Sequence, residues 1–414
     1  MSSSAWFEVE LTTHTYGGET LGRLPDGRAV FVPFGWPGEA ARVRLVEEKR
    51  GYARAELLEI LRPSPGRIDP RCKHFGRCGG CHYQHMPYQA QLEAKAEILR
   101  DQLVRIGKLQ DPLVLPTVPS PLPFNYRNTV QFSLTGQGEL GYHEAVGDRV
   151  FPIEECHLPE EPLNQLWPQL DFEALPGMER VGLRLGVGED ILLALESSAI
   201  DPPDLSVEEL PVSVVHLSPA GSLVLAGSDH VVMHVLGRSF RVSARSFFQV
   251  NTPMAEALVD HLLAELDLTA ADTVLDVYAG VGLFSAFLAS RVGRLVAIEE
   301  SQTACDDFEV NLAEFDHVEL YEGSAQEVLP VLAADPQAIV VDPPRPGLHR
   351  AVIDAILELS APVLVYVSCD PATLARDARR LVVGGYRLEK VTPFDLFPQT
   401  YHIESVSIWK SGSG

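Results

Sequence analysis

From about residue 241 the chain alternates short apolar runs with helical stretches, and this repeated βα grammar constrains the fold more than any other feature. "TVLDVYAG" leads into "LFSAFLASRV", and "RLVAIEES" into "TACDDFEVNLAEF". "HVELYEGSAQEVLPVL", "AIVVDPP" and "APVLVYVSCDP" follow, and the pair "YRLEKVTPFDLFP" and "IESVSIWK" closes the pattern. Repeated units of this kind build a parallel sheet with helices on both faces, so 241–414 reads as a Rossmann-like α/β domain.

The chain before it has another grammar. Residues 6–61 hold five short runs separated by turns such as "PDGRAVFVP", which predicts a small closed barrel of the OB type over 1–62. "RPSPGRIDP" punctuates the chain there. A helix is expected after Pro87, with Leu92, Leu99, Leu103 and Ile106 at helical spacing and Gly107 as the stop. Five prolines in 111–124 mark a stiff connector, and 125–240 alternates apolar runs with Gly, Pro and acidic turns, as antiparallel strands do. Residues 63–240 are therefore expected to form a central, mostly antiparallel β domain, with 200–211 as a surface loop.

No apolar run is long enough to cross a membrane, and "MSSSAWFEVE" does not read as a signal peptide, so a cytoplasmic, soluble protein is expected; a monomer is expected as well. The net charge of −24 argues against nucleic acid, but it is unevenly spread. Residues 1–110 carry 16 Lys and Arg against 13 Asp and Glu, so the head is slightly basic on an acidic body. Arg42, Arg44, Lys49, Arg50 and Arg54 of the head make a candidate RNA-docking surface.

In "LDVYAGVGLF", Asp276 ends a strand, and Gly280 and Gly282 let backbone amides at a helix start approach a ligand. Glu299, after the next strand, is placed to accept from ribose hydroxyls. The turn lacks both the third glycine of a dinucleotide site and the G-K-[ST] of a triphosphate site. A nucleoside without phosphates fits better, which points to S-adenosylmethionine. Asp342 of "VVDPPRPGL" stands at another strand end on the same edge.

Cys369 of "LVYVSCDPATLARD" follows an apolar strand and precedes a helix whose amides should favour its thiolate. Cys305, inside a helix beside acids, reads as inert. A thiolate beside a methyl donor suggests addition to carbon 6 of a pyrimidine, which makes carbon 5 nucleophilic enough to take a methyl group. A base must then remove the carbon-5 proton, and Glu404 in "TYHIESVSIW" lies where burial would raise its pKa. "DPPR" also suggests an amino-methylating enzyme, a chemistry that needs no cysteine.

Three thiols crowd "RCKHFGRCGGCHYQH": Cys72, Cys78 and Cys81. In a reducing compartment such a loop binds metal, either zinc with His82 or His85 as fourth ligand, or an iron–sulfur cluster.

Taken in order, these motifs resemble the TrmA/RumA-type RNA (uracil-5-)-methyltransferases along nearly the whole chain, most closely the 23S ribosomal RNA branch. "VFVPFGWPGE" resembles a TRAM domain, "CKHFGRCGGCHYQHMPYQAQLEAK" the iron–sulfur segment and "NYRNTVQFSL" a central-domain signature. "SFFQVNTPMAEAL", "DVYAGVGLFS", "VDPPRPGL", "VSCDPATLARD" and "HIES" resemble the catalytic motifs. The resemblance implies Cys369 as nucleophile and Glu404 as base, and Gln249, Tyr278, Glu299 and Asp342 in the cofactor site. It implies Phe247, with Gln249, at the target base, and Phe248 lies beside them. It implies a 4Fe-4S cluster on Cys72, Cys78, Cys81 and Cys156 of "IEECHL". Asp370 replaces the family's asparagine, which should disfavour the Cys369 thiolate. The RNA is expected to be ribosomal, with transfer RNA as alternative; a non-catalytic RNA-binding iron–sulfur protein is the rival of another class.

Overall fold

A computed structural model describes residues 6–173, 177–204 and 211–412. Half of the surface loop expected at 200–211, residues 205–210, therefore lies outside the described residues.

Strands β1 (Trp6–His14), β2 (Glu19–Arg23), β3 (Ala29–Pro33), β4 (Ala40–Glu48) and β5 (Tyr52–Arg62) close a barrel in the order β1-β2-β3-β5-β4. Alternate residues point inward, so Val9, Leu11, Val30, Val32, Val43 and Ala53 fill its core. The fully buried Glu39 carboxylate anchors the chain leaving the barrel by accepting from Arg67 (2.8 Å), Trp36 N and Ser64 N.

Helix α1 (Tyr88–Arg105) stands where leucine spacing predicts it. The central sheet follows: β6 (Thr129–Leu134), β7 (Leu140–His143), β8 (Val150–Pro152), then α2 (Glu161–Leu166), β9 (Met178–Leu185), β10 (Ile191–Ser197), β11 (Val212–Ser218) and β12 (Gly221–Ala226). Its order is β12-β11-β10-β9-β6-β7-β8, antiparallel except for β10 and β11. Phe132, Phe151, Trp167, Leu183 and Leu195 form its core.

The hairpin β13 (His230–Val235) and β14 (Arg238–Ser243) leads into α3 (Thr252–Glu265). The α/β domain contains β15 (Thr273–Val277), α4 (Leu283–Leu288), β16 (Arg294–Glu299), α5 (Gln302–Asn311), β17 (Val318–Glu322), α6 (Ala325–Val328), β18 (Ala338–Val341), α7 (Arg350–Leu359), β19 (Val363–Ser368), α8 (Pro371–Val383), β20 (Tyr386–Phe394) and β21 (Glu404–Ser411). The sheet order is β17-β16-β15-β18-β19-β21-β20. Strands β15–β19 run parallel, and β21 lies antiparallel between β19 and β20.

Three upstream pieces pack onto the α/β domain, and one of them, the hairpin, also meets Leu192 and Leu217 of the central sheet. Position 241 falls inside β14, whose hairpin buries Val231, Met233, Phe240 and Val242 with Leu258 and Leu262 of α3. Leu99 and Leu103 of α1 pack with Leu374 and Ala378 of α8. The proline-rich connector is not merely a spacer: Leu115 N donates to Val391 O (2.8 Å) and Val118 N to Pro393 O (2.8 Å), so it straps the outer edge of β20. Prolines suit such an edge, where half the backbone donors have no ladder to join.

Candidate active site

The carboxyl ends of β16, β15 and β18 set Glu299, Asp276 and Asp342 side by side. Between the first two strands the chain turns through three left-handed residues: Tyr278 (φ 69°), Gly280 (φ 56°) and Gly282 (φ 90°). That turn aims Gly280 N–H at Glu299 Oε2 (2.8 Å), while Glu299 Oε1 accepts from Ser301 N (2.8 Å). Asp276 is fully buried, accepts from Ser285 Oγ (2.6 Å), and is pushed up to about 6 by burial. Burial, then the neighbouring Asp276, pushes Asp342 up to about 7. A β-carbon on Gly280 would meet nothing within 4 Å, so a cleft opens above the turn. One on Gly282 would stand 2.4 Å from Leu312 Cδ1 and 2.9 Å from Phe308 Cδ2. Gly282→Ala should therefore distort the turn and weaken S-adenosylmethionine binding by at least about tenfold, as read by calorimetric titration.

Strand β21 runs against its neighbours, so its first residue, Glu404, reaches the edge where the parallel β19 delivers Cys369; Ser405 pairs with Ser368. Glu404 is 4% exposed, and one carboxylate oxygen has no partner. Burial, then Asp342, raises its pKa well above the usual range, while Arg345 opposes them. A carboxyl in that state is a far stronger base than one in water, as expected from its apolar strand.

The structure corrects the expectation that α8 favours the Cys369 thiolate. Burial, then Glu404 and Asp342, pushes this thiol up to about 12, with only Arg345 opposing. The helix amides are already taken: Asp370 Oδ1 caps α8 by accepting from Ala372 N (2.9 Å) and Thr373 N (2.8 Å). Asp370 also adds to the upward push, as its charge implied, but it ranks last among the causes.

Each raised acid is more favourably protonated in the folded chain, so its contribution to stability is full below the unfolded pKa of about 4 and is lost as pH rises through about 6 (Asp276) and about 7 (Asp342). The ligand-free protein should melt higher at pH 5.5 than at pH 8, and Asp342→Asn should narrow that gap in calorimetric scans at the two pH values.

The segment before α3 divides the two phenylalanines: Phe248 is core, whereas Phe247 is 68% exposed. Gln249 is buried, and its carbonyl accepts from Asn128 Nδ2 (2.9 Å). Asn128 belongs to "NYRNTVQF", whose Tyr126 hydroxyl donates to Pro398 O (3.1 Å); this signature braces both loops that border the site. Gln399, at φ 69°, accepts at its carbonyl from His82 N (2.8 Å) and Tyr83 N (3.0 Å); its backbone N–H donates to Gln91 Oε1 and its Oε1 accepts from Gln91 Nε2. Sequence reasoning missed Asn128, Arg345, Gln399 and Tyr16, whose contacts span the chain; only the motifs that contain the first two marked them.

Of the set Cys72, Cys78, Cys81 and Cys156, the last three each lie close enough to other members to feel them. Burial pushes Cys78 up to about 11 and Cys81 to about 12, and neighbouring thiols add to both shifts. Among the described residues no three His, Cys, Asp or Glu side chains stand close enough to hold a single ion. His85 points away, its Nε2 3.2 Å from Gly35 O, and the His82 ring packs edge-on against Tyr401 at 4.6 Å. Cys305 is buried in α5, as expected of an inert thiol.

The basic head surface is largely spoken for. Arg42 pairs with Glu8 (3.2 Å) and Glu59, Arg44 with Glu56, Lys49 with Glu47 (3.1 Å) and Arg54 with Glu19 (2.6 Å). It is a mixed-charge face, not a positive stripe.

A seven-stranded sheet with one reversed strand, carrying a glycine turn and acids at successive strand ends, defines an S-adenosylmethionine-dependent methyltransferase. Sequence models agree: the one described as "tRNA (Uracil-5-)-methyltransferase" matches residues 196–411, and the TRAM domain matches 6–58. An uncharacterised RNA methyltransferase of Thermosynechococcus vestitus is 33% identical over 440 residues, covering 98% of each chain. One from Synechocystis is 35% identical over 448 residues, covering 98% of this chain and 96% of that one. The crystal structure of Pyrococcus abyssi tRNA (uracil-54, C5)-methyltransferase with S-adenosyl-L-homocysteine superposes with a TM-score of 0.74 at 25% identity, covering 97% of this chain and 100% of that one. The chain belongs to the RNA (uracil-5-)-methyltransferase family. It is an S-adenosylmethionine-dependent RNA methyltransferase with an N-terminal TRAM barrel. Among the described residues no helix is long and apolar enough to cross a membrane.

Proposed function

We propose that this enzyme forms 5-methyluridine in RNA with Cys369 as nucleophile and Glu404 as base. The observation that supports the reading most is the reversal of β21, which brings a buried carboxyl beside the Cys369 thiol at the end of β19. Cys369 first gives its proton to water; the sulfur then bonds to carbon 6 of uracil, and the electron pair of the ring double bond moves to carbon 5 and the carbon-4 oxygen. Carbon 5 then takes the methyl group that S-adenosylmethionine supplies when bound. Glu404 removes the carbon-5 proton, and the carbon–sulfur bond breaks to restore Cys369. Gln249, Tyr278, Gly280, Gly282, Glu299 and Asp342 hold the cofactor on this reading, with Gln249 also reaching the uracil. Exposed Phe247 stacks on or replaces the base lifted from its RNA neighbours.

The four-thiol group suits a 4Fe-4S cluster on Cys72, Cys78, Cys81 and Cys156 better than zinc. Three of its thiols come from one short loop and Cys156 adds a fourth, whereas zinc would have to recruit His85, whose Nε2 lies against Gly35 O, or His82, whose ring packs on Tyr401. Such a cluster supplies an electron-transfer or structural centre; the thiols' part is to tie the loop to the central domain. Iron and acid-labile sulfide in anaerobically purified protein test this, and zinc alone would overturn it.

The RNA we propose is 23S ribosomal RNA, methylated in the cytoplasm by a monomeric enzyme of head, central and catalytic domains. A second reading, transfer RNA, is favoured by the full-length likeness to the Pyrococcus abyssi enzyme. Mapping 5-methyluridine in total RNA of cells lacking this protein decides between them. Trapping with 5-fluorouridine RNA tests the chemistry: absence of a covalent adduct in active enzyme sinks it.

A further inference from the structure

Asp370 stands beside Cys369 where the family's wording has asparagine, and a charge there should slow a thiol that must lose its proton. The structure shows what occupies that charge. One carboxylate oxygen caps α8, and the other accepts from the Tyr16 hydroxyl (2.7 Å), which arrives from the turn between β1 and β2 of the head barrel. The turn is built to deliver it. Gly17 and Gly18 are left-handed (φ 106° and 83°), and a β-carbon on Gly18 would lie 3.1 Å from both His82 and Tyr401. The Tyr16 ring packs edge-on to Tyr401 at 5.8 Å, and Tyr401 in turn meets His82 and His402. Burial, then the bond to Asp370, holds the Tyr16 hydroxyl protonated far above its ordinary range, so it stays a donor.

We propose that Tyr16 is a positioning residue for the reaction: its hydroxyl pins the Asp370 carboxylate and takes up part of its charge, so the head barrel completes the active site. This rests on Cys369 as nucleophile. The other charged groups facing Cys369 are Glu404 from β21, Asp342 at the end of β18 and Arg345 just after it; only Arg345 is positive. With one cation against three carboxylates, a hydrogen bond that disperses negative charge shifts the balance toward thiolate. A head lifted from the catalytic domain leaves the thiol next to a carboxylate with one bare oxygen.

The test is the rate of iodoacetamide alkylation of Cys369, read by peptide mass spectrometry in ligand-free full-length enzyme over about pH 7 to 10. Tyr16→Phe should slow alkylation roughly three- to tenfold at a given pH, a rise of half to one pKa unit. Asp370→Asn keeps the cap and should speed it. In the Asp370→Asn background Tyr16→Phe should have no effect. An unchanged profile in Tyr16→Phe overturns the proposal. So does an undiminished effect in the double variant, which would assign Tyr16 to packing against Tyr401 alone. Wild-type trapping on 5-fluorouridine RNA, run in parallel, tells failure of this proposal from failure of the nucleophile assignment.

Discussion

Glu404→Gln accumulates enzyme covalently joined to methylated RNA, and turnover falls by about 10²–10⁴-fold. The amide fills the same buried space but cannot take the carbon-5 proton, so the sulfur cannot leave. The adduct is visible as a shifted band on a denaturing gel with natural, unfluorinated RNA. Cys369→Ala gives no such band in either background, because no sulfur is present to bond carbon 6. Full turnover by Glu404→Gln would remove Glu404 from the mechanism and leave Asp342, the next raised carboxyl on the edge, as the base to test.

Lys95→Ala destabilises the folded protein by about 3–5 kcal/mol. Lys95 Nζ lies 2.5 Å from Asp395 and 3.0 Å from Phe397 O, and both charged side chains are fully buried between α1 and the end of β20. Burial works to strip the Lys95 proton and Asp395 works to keep it, so the pair survives only together. Alanine leaves a carboxylate in the interior with no cation to oppose it. Lys95→Met with Asp395→Leu keeps the volume and removes both charges, and should recover most of the loss in thermal or guanidinium unfolding. Because Asp395 begins the loop that ends at Glu404, the single variant should also lower kcat more than it raises KM.

The parts of the fold that could be read from the chain are those set by local pattern. Five short runs separated by turns predict the barrel, the spacing of Leu92, Leu99 and Leu103 predicts α1, and apolar runs ending in acids predict the parallel sheet and its binding edge. What stayed hidden depends on which surfaces meet. The pattern of α1 is the same whether it packs on the central sheet or on α8, and nothing near Val118 says that β20 is its partner. The site divides in the same way. Cys369, Glu404, Asp276, Glu299 and Asp342 stand out because strand ends mark them. Their electrostatics do not: an aspartate next to a cysteine reads as a penalty until the capped amides and the Tyr16 hydroxyl are seen around it. The head arginines err in the opposite direction, since counting cations cannot reveal that glutamates on neighbouring strands already hold them.

The proline strap and α1 decide how the catalytic half behaves when cut free. A fragment starting at 241 would carry half a hairpin, an uncovered apolar ridge on α8 and a naked outer rim on β20. Such rims recruit strands from other molecules, and such ridges recruit other hydrophobic surfaces. The pieces that keep this half of the molecule dispersed in water are thus encoded far upstream of it, and truncation there should yield aggregates rather than a smaller enzyme.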